Sequence, residues 1–114
     1  MAADLAAEGI SLEVIDPRTL VPMDAETIRA SVRKTGRLVV VDEAPATCSA
    51  ASEIIALVTE DPDTFQALKA PVQRVCAAPV PVPFSPPLER AALPDQAKIK
   101  AAVRRVLESA PVAV

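Results

Sequence analysis

Lys34-Thr35-Gly36-Arg37-Leu38-Val39-Val40-Val41-Asp42-Glu43-Ala44 is the stretch that decides the fold. Leu38 to Val41 is an unbroken apolar run rich in β-branched residues. It reads as a strand covered on both faces, because a half-exposed strand would alternate with polar residues. Just upstream, Lys34 suits the carbonyl end of a helix and Gly36 is free to take positive φ. A helix that stops at a glycine and hands over to a buried strand ending on two acids is one step of an α/β fold.

Working outward, the same grammar recurs at the start of the chain. Ala2 to Glu8 are strong helix formers over about two turns, expected as the tail of a longer helix. Gly9 supplies its cap, and Ile10-Ser11-Leu12-Glu13-Val14-Ile15-Asp16 alternates into a short predicted strand. The chain has 2 glycines, and both stand between a predicted helix and a predicted strand, as parallel α/β units require. Pro17 and Pro22 stiffen the next connection, and Asp24 is placed to cap a helix from Ala25 to Thr35. That helix turns Ala25, Ile28 and Val32 inward, with Arg29 and Arg33 near its solvated side.

Downstream, Pro45 ends the strand and Thr47 or Ser49 can cap a helix of roughly Ala50 to Glu60, with Ile54, Leu57 and Val58 inward. A short helical segment, Phe65 to Leu68, precedes a strand over Pro71 to Cys76. Prolines then interrupt Ala77 to Pro87 so often that no ladder can run through it. The expectation is an extended surface strap, serving as a crossover or as a ligand for a proline-recognising partner. Asp95 caps a last amphipathic helix with Ile99, Val103, Val106 and Leu107 inward and Lys98, Lys100, Arg104 and Arg105 outward. Residues 1–110 thus form one domain, with 111–114 expected to fray.

Composition narrows the function. The 114 residues are 51% hydrophobic with a net charge of −3, which suits a globular domain and gives nucleic acid nothing basic to hold. There is no histidine, which removes the commonest general base and metal ligand. Cys48 and Cys76 lack the spacing of a metal or redox motif and are expected to be free thiols in a reducing compartment. No apolar run approaches the ~20 residues of a membrane span, and no secretory signal is legible, so the cytoplasm is the expected location.

Gly9 to Asp24, Lys34 to Arg37 and Asp42-Glu43-Ala44-Pro45 together resemble the C-terminal domain of the beta subunit of thiamine-diphosphate-dependent 2-oxo acid dehydrogenases. This family includes the pyruvate, branched-chain and acetoin enzymes. Ala70-Pro71-Val72, Arg74-Val75, Pro81-Val82-Pro83-Phe84, Leu88-Glu89 and Leu93-Pro94 extend the match in order. The resemblance implies a three-layer α/β/α domain similar to the transketolase C-terminal domain, with a mainly parallel five-stranded sheet. It further implies an assembly role: joining the alpha subunit and a second beta subunit in a heterotetramer and docking the dihydrolipoyl acyltransferase. Thiamine diphosphate and magnesium are implied for the holoenzyme, and its catalytic histidine for another domain. No catalytic, cofactor or metal residue carries over to this chain, which alone is expected to be inactive.

Two local departures stand out. Thr47-Cys48-Ser49-Ala50-Ala51 occupies a turn that is often glycine-rich in the family, and Pro79-Val80 stands where an acid and a threonine are common. The latter implies weakened or shifted acyltransferase docking. A larger departure concerns a strand that the family places ahead of the first helix and inside the sheet, between those resembling Leu12–Ile15 and Leu38–Val41. The chain is therefore expected to be an N-terminally truncated domain whose sheet either closes by direct pairing of these two stretches or stays loose.

Arg18 and Glu43 fall where strand ends meet loops, as candidates for an ion pair or a subunit contact, and Arg74 is a further candidate interface residue. Two other readings remain open at this point. One is a small enzyme using Asp42, Glu43 or Cys48; adjacent acids on a strand face opposite ways, and no base accompanies the cysteine. The other is a binding module recognised through its proline strap.

Overall fold

A computed structural model describes residues 1–109; the predicted fraying of 111–114 lies outside the described residues. Helix α1 spans Ala2–Ala7, α2 Ala25–Thr35, α3 Ala50–Thr59, α4 Pro62–Ala67, α5 Pro86–Ala92 and α6 Gln96–Glu108, with strands β1 at Val39–Pro45 and β2 at Gln73–Ala77. The two strands pair in parallel, with Val39 opposite Gln73 and Asp42 opposite Cys76.

Helix ends follow the chemistry read from the sequence. Asp24 caps α2, its carboxylate accepting the Thr27 N–H at 3.0 Å and the Thr27 hydroxyl at 2.6 Å. Gly36 closes the same helix at φ 74°, its N–H donating to the Val32 carbonyl at 2.7 Å. At the end of α1 the Gly9 N–H donates to Ala6 at 3.0 Å and the Ile10 N–H to Leu5 at 2.9 Å. This is the double-bonded glycine stop in which orphan carbonyls find partners.

Side-chain alternation along the paired strands builds three layers. Leu38 packs against the core of Ile28, Val32 and Val58, so its face of the sheet looks toward α2 and α3. One residue on, the opposite face presents Gln73, whose side-chain oxygen accepts from Arg105 of α6 at 3.2 Å. Helix α6 packs on both strands of that face. The chain is thus an α/β/α sandwich, with Val58 wholly buried on one side. On the other side, Leu5 of α1 and Ala102, Val103 and Val106 of α6 are buried.

Several expectations are corrected. The sheet has two strands among the described residues, not five. Residues 11–16 form no backbone hydrogen bond there, so the predicted strand is an unpaired segment, and direct pairing with Leu38–Val41 does not occur. It is held from the side instead: Ile15 packs against the core and Glu13 pairs with Lys34 of α2 at 2.6 Å. β1 is buried less than its composition suggests, with Val41 46% exposed, because a strand paired along one edge leaves the other to water. Beyond β2, extended chain ends at Ser85, and Pro86 and Pro87 begin α5. A proline in the first helical turn costs no hydrogen bond, and its fixed φ suits the helix. Ser49 sits at the start of α3 but makes no side-chain cap there.

The outward cations of α6 are also not simply solvated. Lys100 bonds Asp4 at 2.6 Å, and Arg104 grips Glu8 in a two-pronged pair at 2.8 and 3.0 Å. Both rungs step by four residues in the same direction, so α1 and α6 run parallel with Leu5 sealed between them and the body. Leu107, expected inward, is 41% exposed, while Ala102 takes a buried place on the helix.

The two glycine stops give a matched test. A Cβ added at Gly9 meets nothing within 4 Å, whereas at Gly36 it would lie 2.7 Å from the Lys69 side chain. Gly9→Ala is expected to lower unfolding free energy in urea by about 1 kcal/mol, the cost of positive φ alone. Gly36→Ala is expected to lower it by about 2 kcal/mol, because Lys69 must also move.

Candidate functional site

Strand carboxyl ends gather the chain's candidate chemistry, and the geometry there is that of a brace. Asp42, the last residue of β1 before its register with β2 shifts, accepts the Ala44 N–H at 2.9 Å and the Ala51 N–H at 3.2 Å. Its second bond satisfies an orphan donor in the first turn of α3, so the cap predicted from Thr47 or Ser49 comes from the neighbouring strand. One turn of chain away, the Ala46 carbonyl accepts from three side chains: Arg74 at 2.7 Å, Ser52 at 3.1 Å and Ser49 at 3.4 Å. Arg74 of β2 also donates to the Ser52 hydroxyl at 2.9 Å.

Cys48 lies in this turn, exposed, at φ 54°. The turn thus places a non-glycine residue in the left-handed region, with its thiol exposed. With both oxygens of Asp42 held by backbone N–H groups, the acid is spent on structure. Glu43 is exposed beside it and takes part in no ion pair among the described residues.

The structure does not bring Arg18 to Glu43. Arg18 adopts φ 61°, donates its backbone N–H to Asp16 at 3.1 Å and pairs its guanidinium with the same carboxylate at 3.2 Å. Both partners are well exposed, which makes the pair weak in one chain and leaves the guanidinium face open.

Sequence reading missed three arginine contacts. Arg29 Nε donates to the Leu57 carbonyl at 2.9 Å, and Arg33 donates to Thr64 at 3.1 Å, so both tie α2 to its neighbours rather than standing in solvent. Arg37 Nε reaches the Val106 carbonyl at 2.9 Å and pins the end of α6. A cation one residue past a helix-stopping glycine was the available signal for Arg37; its partner lies 69 residues away and leaves no local trace.

Carboxylates elsewhere are likewise engaged. Hydrogen bonds from Thr64, first through its hydroxyl and then its N–H, lower the Asp61 pKa, and Thr27 does the same for Asp24. The Lys98 N–H lowers Asp95, and Lys100 lowers Asp4. Among the described residues no three His, Cys, Asp or Glu converge as metal ligands. Asp24, Asp42, Asp61 and Asp95 cap helices, Asp4, Glu8 and Glu13 pair with cations, and the remaining acids among the described residues do not converge, so the donor set does not fit a magnesium diphosphate.

Helices covering both faces of a parallel β-pair, with polar groups bracing the strand ends, define an α/β/α sandwich domain. Residues 1–99 match the family described as "Transketolase, C-terminal domain", and the chain belongs to that family. It is similar to "Acetoin:2,6-dichlorophenolindophenol oxidoreductase subunit beta" of Cupriavidus necator, 50% identical over 94% of this chain and 31% of the relative. The protein of the same name in Bacillus subtilis is 48% identical over 86% of this chain and 28% of the relative. "Pyruvate dehydrogenase E1 component subunit beta, mitochondrial" of Dictyostelium discoideum is 46% identical over 91% of this chain and 29% of the relative. The chain therefore spans less than a third of the length of these curated relatives.

Two outcomes test the brace. Asp42→Ala is expected to cost about 1 kcal/mol in urea unfolding, the worth of a helix cap, although the residue is not in the helix it caps. The lowered carboxyls act with a definite sign. Their stabilising effect is complete above the unfolded aspartate value of about 3.9 and is lost as pH falls through the lower folded values. Melting temperature followed by circular dichroism is expected to drop below about pH 4, and less steeply in Asp61→Asn.

Proposed function

We propose that this chain is the C-terminal assembly domain of the beta subunit of a thiamine-diphosphate-dependent 2-oxo acid or acetoin dehydrogenase. It supports association with an alpha subunit and a second beta subunit and docks the dihydrolipoyl acyltransferase. In this reading it performs no chemistry alone. The observation that carries it is the identity of up to 50% with beta subunits over 94% of the chain. Thiamine diphosphate and magnesium would be held by other parts of the holoenzyme.

The surface supports the same reading. Val80, Val82, Phe84 and Leu88 are all exposed along the strap and the start of α5, with Phe84 wholly in water. Contiguous apolar side chains left outside a core mark a surface that a partner covers. Arg18, with its guanidinium open, Glu43 and Arg74 are the polar contacts this proposal adds. The enzyme alternative has less support, since Asp42 is engaged as a cap. The proline-strap module is absorbed, because the strap becomes part of the subunit contact.

Mixed with the alpha subunit of an acetoin dehydrogenase and the acyltransferase, the chain is expected to co-elute on size exclusion. Phe84→Ser should reduce co-elution while leaving the melting temperature of the chain unchanged. Elution alone from every such mixture, or turnover of an oxo acid by the isolated chain, would overturn the proposal.

A further inference from the structure

Beyond α3 and α4, on the same side of the sheet, an open groove of about 690 Å³ runs along the chain into β2. Ile55, Phe65, Leu68, Pro71 and Val72 line it, and the one charged residue in its wall is Arg74. The Nη1 of Arg74 is fixed by the Ala46 carbonyl and the Ser52 hydroxyl, both neutral, and no carboxylate pairs with it among the described residues. The guanidinium is therefore positioned with its charge unanswered, and its planar fork suits a carboxylate.

Strand β2 adds backbone partners beside that charge. The Gln73 N–H donates to the Leu38 carbonyl at 3.1 Å, so Gln73 is turned toward β1. Arg74 and Cys76, one residue out of phase, direct their N–H and C=O groups to the opposite edge. No strand pairs with that edge among the described residues. An open strand edge, alternating access to an apolar groove and a fixed cation are the parts used when an extended peptide joins a sheet. An enclosed small molecule fits less well, because a groove open along its length would not bury most of it.

We propose that the open edge of β2 and the Arg74 groove bind an extended segment of a partner protein in which a glutamate or aspartate has an aliphatic residue two positions away on each side, so that all three face the groove. The backbone of the segment pairs with Arg74 and Cys76, its acid meets the Arg74 guanidinium, and its aliphatic side chains lie on Ile55 and Phe65. The groove does not include the Phe84 strap; it shares only Arg74 with the subunit contacts proposed above, and it does not depend on which complex the chain serves.

A dye-labelled heptapeptide with glutamate at its fourth position, valine at the second and sixth and threonine elsewhere, with an otherwise identical glutamine version, tests this on the full chain by fluorescence anisotropy. Nuclear magnetic resonance of the amides reports the location. The glutamate peptide is expected to bind about tenfold tighter, as loss of a charge-assisted pair implies, and to shift the Arg74 and Cys76 amides. Arg74→Gln should level the two affinities. Gln66→Glu, on an exposed groove position, should do so without touching the Ala46 brace. Equal affinity of the two peptides for the native chain, shifts confined to another surface, or no saturable binding would each overturn the proposal. Peptide binding by the isolated chain and co-elution tested through Phe84→Ser are independent readouts, so the two proposals fail separately.

Discussion

Parallel pairing of β1 with β2 is the constraint on which the rest depends. Parallel neighbours cannot be joined by a tight hairpin, so the chain must leave β1, cross the sheet and return to start β2 in the same direction. Helices α3 and α4 are that crossing. Their return puts Val58 against Ile28 and Val32 of α2, which creates the main core, and leaves the strand ends to be joined by the Ala46 loop. Asp42 and Arg74, one from each strand, then bond the loop and the first turn of α3. Pairing, crossover and brace are one arrangement, because each holds the others in register.

The opposite layer is held differently. Helix α1 is too short to persist alone, and its place is fixed by Leu5 beneath and by two ion pairs to α6 above. Those pairs are partly exposed and weak individually, so burial of Leu5 provides most of the docking and the charges set direction. Arg37 connects this layer to the turn after α2 through the Val106 carbonyl.

Set against this frame, the surface divides. Asp42 and the Ala46 carbonyl at the strand ends are satisfied within the chain, whereas apolar residues of the strap and the groove beside β2 are left to water. Exposed apolar groups of this kind are the ones a further contact would bury.

By itself the sequence determined the local events. Gly9 and Gly36 as stops, Asp24 and Asp95 as caps, the helix from Ala25 to Thr35, and the apolar sides of α3 and α6 were legible because each depends on residues within a turn or two of one another. Family membership was legible too, through motifs spread over the chain. Tertiary structure alone decided that Asp42 rather than Ser49 caps α3, that Arg29, Arg33 and Arg37 bridge elements, and that Ile10 to Asp16 lies unpaired. A strand exists only by virtue of a neighbour, and a long side chain finds its partner only after distant segments meet. Periodicity reports which face of an element is apolar, but not what stands opposite it.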